Sequence, residues 1–186
     1  MHDGYDVERS RLVRTWLQTV HRAAAPLARW GVRPNAISAA GVATAVAAAA
    51  SARPRSALLV LGTAFCDGLD GAVAVQRGRS SSHGTLIDHG ADRITDVLFA
   101  VALWHAGAGP RLALADAITV VGYESARSLA RRRGTTDALV TVGERPIRVG
   151  VTALGVWLSP KAAAGVVSAL CLVSLLQLRA ASRLSR

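Results

Sequence analysis

Aromatic residues make up only 4% of this 186-residue chain, and it holds two cysteines and one methionine. Its 51% hydrophobic content is instead Ala, Val and Leu, with a mean hydropathy of +0.32, which suits small-residue helices packed in lipid better than a water-soluble core. Cys66 and Cys171 each stand inside an apolar run without a partner spacing. That excludes a disulfide framework or a zinc site and leaves packing as their expected role. The N-terminus mixes Asp3, Asp6 and Glu8 with arginines, and no short apolar core ends in a small-residue cleavage site, so no secretory leader is expected. No zinc module, RNA-binding signature or separate basic domain accompanies the net charge of +10 and pI near 11.4. The arginines fall between apolar spans, which sets nucleic acid aside as a partner. No internal repeat is visible, which counts against a transporter built from inverted halves.

What is present is a succession of apolar windows at about 35–53, 56–76, 84–106, 111–127, 146–159 and 161–178. They predict an all-α integral membrane protein of about six transmembrane helices, some short enough to need close packing or local thinning. Before them, Val7, Leu12, Val13, Trp16, Leu17, Val20 and Leu27 alternate with Arg9, Arg11, Arg14, Arg22 and Arg29 at helical spacing. Residues 1–33 therefore read as an N-terminal region containing an interfacial amphipathic helix, an ordinary solvated helix being the duller choice, and residues 34–186 as the six-span domain. Pro34-Asn35 reads as the turn and cap that open the first span. Arginine is concentrated at 9–33, 77–79, 127–145 and 179–186, against Arg53, Arg55, Arg111 and Lys161 at the opposite ends. By the positive-inside rule the chain is a multi-pass cell-membrane protein with both termini cytoplasmic, and Trp104 and Trp157 fall near the outer boundary.

Four carboxylates interrupt this pattern: Asp67 and Asp70 in the second window, Asp88 and Asp92 in the third. Each would cost about 2.5–3.5 kcal/mol near the bilayer centre, unless a cation binds there. The i, i+3 and i, i+4 spacings put each pair on one helix face, so two facing helices present four hard oxygen donors suited to a divalent cation. The charge bias puts them at the cytoplasmic ends of their spans, joined by a short loop from Arg77 to His83. Gly68, Gly71 and Gly84 remove side chains where a backbone or phosphate approaches closely. Arg77, Arg79 and the serines at 80–82 offer cations and hydroxyls to a phosphate, or form merely a basic surface loop. Buried ion pairing would need four cationic partners, and only Arg93 is evident. Arg93 and Asp96 are expected to pair with each other; Asp116, Tyr123 and Glu124 are expected to make structural hydrogen bonds; His83 and His89 are neighbours of the acids rather than ligands.

The run Asp67-Gly68-Leu69-Asp70-Gly71-Ala72-Val73-Ala74, followed by Gly84, Asp88 and Asp92, closely resembles the signature of the CDP-alcohol phosphotransferases, D-x-x-D-G-x-x-A-R-x8-G-x3-D-x3-D. Every spacing matches. Val75 departs from it, standing where the family has an arginine that contacts the phosphates of the nucleotide lipid; Arg77 and Arg79 are the nearby substitutes.

The resemblance implies a membrane phospholipid synthase of the phosphatidyltransferase type. An acceptor hydroxyl attacks the β-phosphorus of CDP-diacylglycerol and CMP leaves, with two Mg²⁺ or Mn²⁺ ions at the acids. It implies metal ligation by Asp67, Asp70, Asp88 and Asp92, Asp92 also serving as general base. The same resemblance gives nucleotide-lipid binding to Gly71, Ala74, Arg77, Arg79 and Gly84, and it admits a homodimer.

The segments Glu144-Arg145-Pro146-Ile147-Arg148 and Asp92-Arg93-Ile94-Thr95-Asp96 are similar to those of actinobacterial phosphatidylinositol phosphate synthases, which favours inositol phosphate as acceptor. Arg127 and Arg148 stand about where those enzymes bind the acceptor's phosphate; a third basic position is Leu178 here, with Arg179 next to it. Phosphatidylglycerophosphate synthesis from glycerol 3-phosphate uses a similar basic pocket. A non-enzymatic transporter, or a relative that has lost activity, is the reading of another class.

Overall fold

The computed structural model describes residues 11–78, 82–132, 134 and 141–184. The described residues form seven α-helices: α1 (Arg11–Arg29), α2 (Pro34–Ala49), α3 (Arg53–Gln76), α4 (Ser82–Leu103), α5 (Pro110–Arg132), α6 (Arg145–Leu158) and α7 (Pro160–Leu184), with a wide π-type turn, Trp104–Ala108, after α4. Proline sets these boundaries. Pro34, Pro54, Pro110, Pro146 and Pro160 all lie at or next to the first helical position, where no backbone N–H is required and the ring pre-sets φ. Asn35 lies inside α2 rather than capping it: the N-cap is Arg33, and no side chain caps it. Gly78, at φ 59°, turns the chain out of α3 through the left-handed region.

The six helices α2 to α7 coincide with the six apolar windows. Each packs on two neighbours in the order α2, α3, α6, α7, α5, α4 and back to α2, a closed ring with α1 laid on α3. One core joins Ala45, Ala48, Val60, Phe99, Val149 and Ala153 from α2, α3, α4 and α6. Cys171 is buried with Val120, Tyr123 and Val167 between α5 and α7, and Cys66 packs partly buried in the cluster under α1; both thiols are free. Outward, Leu58, Leu61, Leu114, Ile118, Leu154, Leu172 and Leu176 are left exposed.

Of the described helices, Arg53–Gln76 and Pro160–Arg183 are long and apolar enough to cross a membrane by themselves. The other four windows fall short for two physical reasons. Helices α2 and α6 have only 16 and 14 residues, and α4 and α5 carry charged side chains along their length. Helix α1 buries Val20 and Ala24 against Ile37, Leu69 and Val73, so part of its apolar stripe is covered by α2 and α3 rather than left for lipid. Its remaining expected face, Val7, Leu12, Val13, Trp16 and Leu17, lies outside the described residues and side chains.

Candidate active site

Asp67 and Asp70 project from α3 and Asp92 from α4, and α2 packs against both helices. A small cleft lies between them, lined also by Ser38 and Gly41 of α2 and by Arg145 of α6. Ser38 Oγ donates to Asp70 Oδ2 at 2.5 Å, fixing the most buried of these acids. Arg145 reaches in from the first turn of α6. Its Nη1 donates to Asp67 Oδ1 at 2.6 Å and also to Asp92 Oδ1, and its Nη2 donates to Thr95 Oγ1 at 2.7 Å. Carboxylates from two helices thus converge on one cation. The Nε of Arg145 is buried with no hydrogen-bond partner, 3.9 Å from Asp96 Oδ1.

Behind this cleft stands a second layer of charge. Arg148 is 3% exposed; its Nη1 donates to Glu124 Oε1 at 2.8 Å and to the Gly143 carbonyl at 2.6 Å, and its Nη2 to Asp96 Oδ2 at 3.2 Å. Its guanidinium lies 5.6 Å from the centre of the Tyr123 ring. Arg93 pairs with both Glu124, at 3.3 Å, and Asp96, at 3.6 Å. Arg127 grips Glu144 with two nitrogens at 2.7 Å, and Glu144 Oε1 accepts the Thr141 N–H at 3.2 Å. The turn before α6 is pinned further where Gly143 N–H donates to Ser174 Oγ at 2.8 Å and Tyr123 Oη meets Thr141 Oγ1 at 2.5 Å. These bonds aim the start of α6, and with it Arg145, at the acids.

The expected pairing of Arg93 with Asp96 and the structural roles of Tyr123 and Glu124 are present in this network, and Asp116 accepts a long hydrogen bond from Ser168 at 3.4 Å. Arg127 and Arg148 stand differently from expectation. Both are engaged by carboxylates, and Arg148 is buried behind the acids rather than open above them. Arg77 donates to the carbonyls of Gly31 and Val32 at 2.8 and 2.7 Å, tying the end of α1 to α3. Gly71 lines a groove between α1 and α3, whereas Ala74 is half-buried outside that lining. Arg79 lies outside the described residues; Gly84 and Asp88 lie on α4 with side chains outside the described set.

Sequence reasoning passed over Arg145, Ser38 and Thr95 as members of the site. Arg145 did carry a signal. A cation in the first turn of a helix opposes the helix dipole at a cost of about 0.3–1 kcal/mol, so its place there asks for nearby carboxylates.

A divalent metal fits these residues by their chemistry. The donors are hard carboxylate and hydroxyl oxygens, and Asp67 and Asp92 already share one positive charge across two helices. Among the described residues, six carboxylates, Asp67, Asp70, Asp92, Asp96, Glu124 and Glu144, stand with four arginines, 93, 127, 145 and 148. Among the described residues, however, no three His, Cys, Asp or Glu side chains form a ready metal shell, and Asp70 is turned to Ser38.

The chain is 36% identical over 93 residues to the phosphatidylinositol phosphate synthase of Streptomyces avermitilis, covering 46% of this chain and 38% of that one. With the enzyme of the same name from Mycolicibacterium smegmatis the match is 31% over 145 residues, covering 70% of this chain and 64% of the relative. The matched segments thus span less than two thirds of either relative's length.

Two crystal structures of phosphatidylinositol phosphate synthase from Mycobacterium tuberculosis share the fold. The complex with manganese and citrate has a TM-score of 0.71 at 22% identity, covering 88% of each chain. The form with CDP-DAG bound has a TM-score of 0.67 at 24% identity, covering 87% of this chain and 90% of that one. The family model for CDP-alcohol phosphatidyltransferases matches residues 31–178, the stretch that contains all four aspartates and the arginine network behind them, and the chain belongs to that family.

Proposed function

We propose that this protein transfers the phosphatidyl group of CDP-diacylglycerol to a hydroxyl of inositol phosphate, releasing CMP. The observation that carries the reading is the convergence of Asp67 and Asp92, from two helices, on a single cation within the segment matched by the family model. The names of the relatives support the acceptor. Asp67, Asp70, Asp88 and Asp92 would hold Mg²⁺ or Mn²⁺, which when bound neutralises the diphosphate and the charge on the departing CMP.

The chain's own residues do the rest. Asp92 takes the proton of the acceptor hydroxyl as its oxygen bonds to the β-phosphorus; the bond from that phosphorus to the bridging oxygen breaks, and the electron pair leaves with CMP. Ser38 holds Asp70 in place, and Thr95 steadies the guanidinium of Arg145 beside Asp92. Arg145 neutralises Asp67 and Asp92 from the first turn of α6, while Arg148 holds α6 in register from behind. Arg127 sits at the rim, where its grip on Glu144 keeps the turn before α6 closed.

The bundle would cross the membrane six times, its two long apolar helices supported by four that are short or charged and find their partners inside the ring. The arginine bias sets both termini and the acids on the cytoplasmic side. Cysteines introduced between 128 and 145 should then escape membrane-impermeant reagents added to intact cells; strong labelling there would reverse the topology.

The assay for the activity is direct: purified protein, CDP-diacylglycerol and Mn²⁺, with inositol phosphate, glycerol 3-phosphate or uncharged inositol, following CMP. Release that depends on inositol phosphate is expected. Release with glycerol 3-phosphate alone would change the acceptor, and no release with any alcohol would remove the transferase.

A further inference from the structure

The groove between α1 and α3 is open and has a volume of about 710 Å³. It shares Asp67 with the acid cleft and runs past Gly68 and Gly71, where α3 offers bare backbone. A Cβ at Gly71 would meet nothing within 4 Å, so this face has room for a ligand. Farther along stands Val75, 77% exposed and without charge, at the position where the signature calls for arginine. The opposite wall belongs to α1 and brings His21 and Arg22 over this strip.

Which cation serves this groove follows from what each nearby arginine is already doing. Arg77, closest in sequence, donates to the carbonyls of Gly31 and Val32 and serves as the clasp of α1. Arg145 is spent on Asp67 and Asp92. Arg22 is exposed, lines the groove, and makes no ion pair or side-chain hydrogen bond among the described residues. Helix α1 is held rigidly enough to present it: Gln76 Nε2 donates to the His21 carbonyl at 3.1 Å, and Val20 and Ala24 are buried against Leu69 and Val73.

We propose that Arg22 supplies, from the helix before the bundle, the positive charge that Val75 does not, and binds the diphosphate of the cytidine nucleotide in the α1/α3 groove. The inference rests on the transferase reading for its ligand. A guanidinium suits the task because its planar fork pairs with two phosphate oxygens at once. His21, beside it, adds a second donor.

The test is the affinity of the full-length protein for soluble CDP in neutral detergent with Mn²⁺, measured by calorimetry. Arg22→Gln should weaken CDP binding about tenfold or more, the loss of a charge-assisted pair. Adding Val75→Arg to Arg22→Gln should recover most of it, since the cation then returns on the opposite wall. Arg29→Gln, an exposed arginine of the same helix off the groove, should leave CDP affinity unchanged.

Unaltered CDP affinity in Arg22→Gln overturns the proposal. If that variant differs from wild type only in nanodiscs containing phosphatidylglycerol, Arg22 serves a lipid headgroup instead, and the proposal again fails. Wild-type protein that binds CDP through Arg22 but releases no CMP with any acceptor would sink the transferase reading and leave the site standing. Normal CMP release with unaltered CDP affinity in Arg22→Gln would do the reverse. A wild-type chain that binds no CDP overturns both.

Discussion

At the end of the ring that carries the acids, α4, α5 and α6 meet through charge; at the other end the neighbouring helices meet through alanine and glycine. Around Arg148, four ion pairs and a backbone carbonyl link three helices and the turn before α6. At the opposite end Ala49, Ala102, Leu103, Ala106, Val156, Ala163 and Ala164 form a core without a charged member. There α6 and α7 approach so closely that a Cβ at Gly155 would overlap that of Ala163. His105 in that region serves structure as well, since its Nδ1 pairs with the Ala49 carbonyl at 2.7 Å, an oxygen that the end of α2 leaves without an intrahelical partner.

The contrast has a physical reason. Small residues let helices touch by van der Waals contact, which suffices in lipid and tolerates no chemistry. A buried charge network is a poor source of net stability, because desolvation offsets much of the attraction, but it fixes geometry. The protein keeps it where geometry matters, behind the acids.

The largest expected effect comes from breaking the charged end at its front. Asp92→Asn should lower CMP release about 10²- to 10⁴-fold, the usual worth of a positioned general base, while much of the nucleotide-lipid binding persists and Mn²⁺ affinity falls less than in Asp67→Asn. Asp67→Asn should instead weaken Mn²⁺ binding itself. Equal loss of metal affinity in the two variants would make Asp92 a ligand only and place the base elsewhere.

Next in size is the back layer. Arg148→Met leaves Asp96 and Glu124 with only their longer pairs to Arg93 and should cost about 3–5 kcal/mol in detergent unfolding. Asp96→Asn and Glu124→Gln added to Arg148→Met should restore part of that. If Arg148→Met unfolds like wild type and only the acceptor's Michaelis constant rises, Arg148 clamps the acceptor after all, as its position in the signature segment suggested.

The smallest effect belongs to the apolar end. Gly155→Ala should cost about 1–3 kcal/mol by overpacking and be relieved by Ala163→Gly, with turnover per folded molecule unchanged. A change in turnover equal to that of the charged-end variants would erase the division between the two ends.

Much of this was written into the chain before folding. The six helices fall where the apolar windows lie because hydrophobicity and proline are local signals, read over one turn or one span. Spacing put Asp67 with Asp70 on one helix face, and the pairing of Arg93 with Asp96 is likewise a matter of i, i+3 geometry.

The tertiary structure decided what spacing cannot reach. Arg145 meets Asp67 across 78 positions of sequence and Asp92 across 53. Arg148, indistinguishable from Arg145 as a residue type and only three positions away, turns to the interior because α5 offers it Glu124 and α4 offers it Asp96. Arg77 was drawn to the end of α1, and Arg22 lines the groove without an ion pair or side-chain hydrogen bond among the described residues. Sequence fixes which charges a helix carries and on which face. The partner that claims each one depends on how the six helices close into a ring, because an ion pair in a low-dielectric interior is settled by a few ångströms of distance.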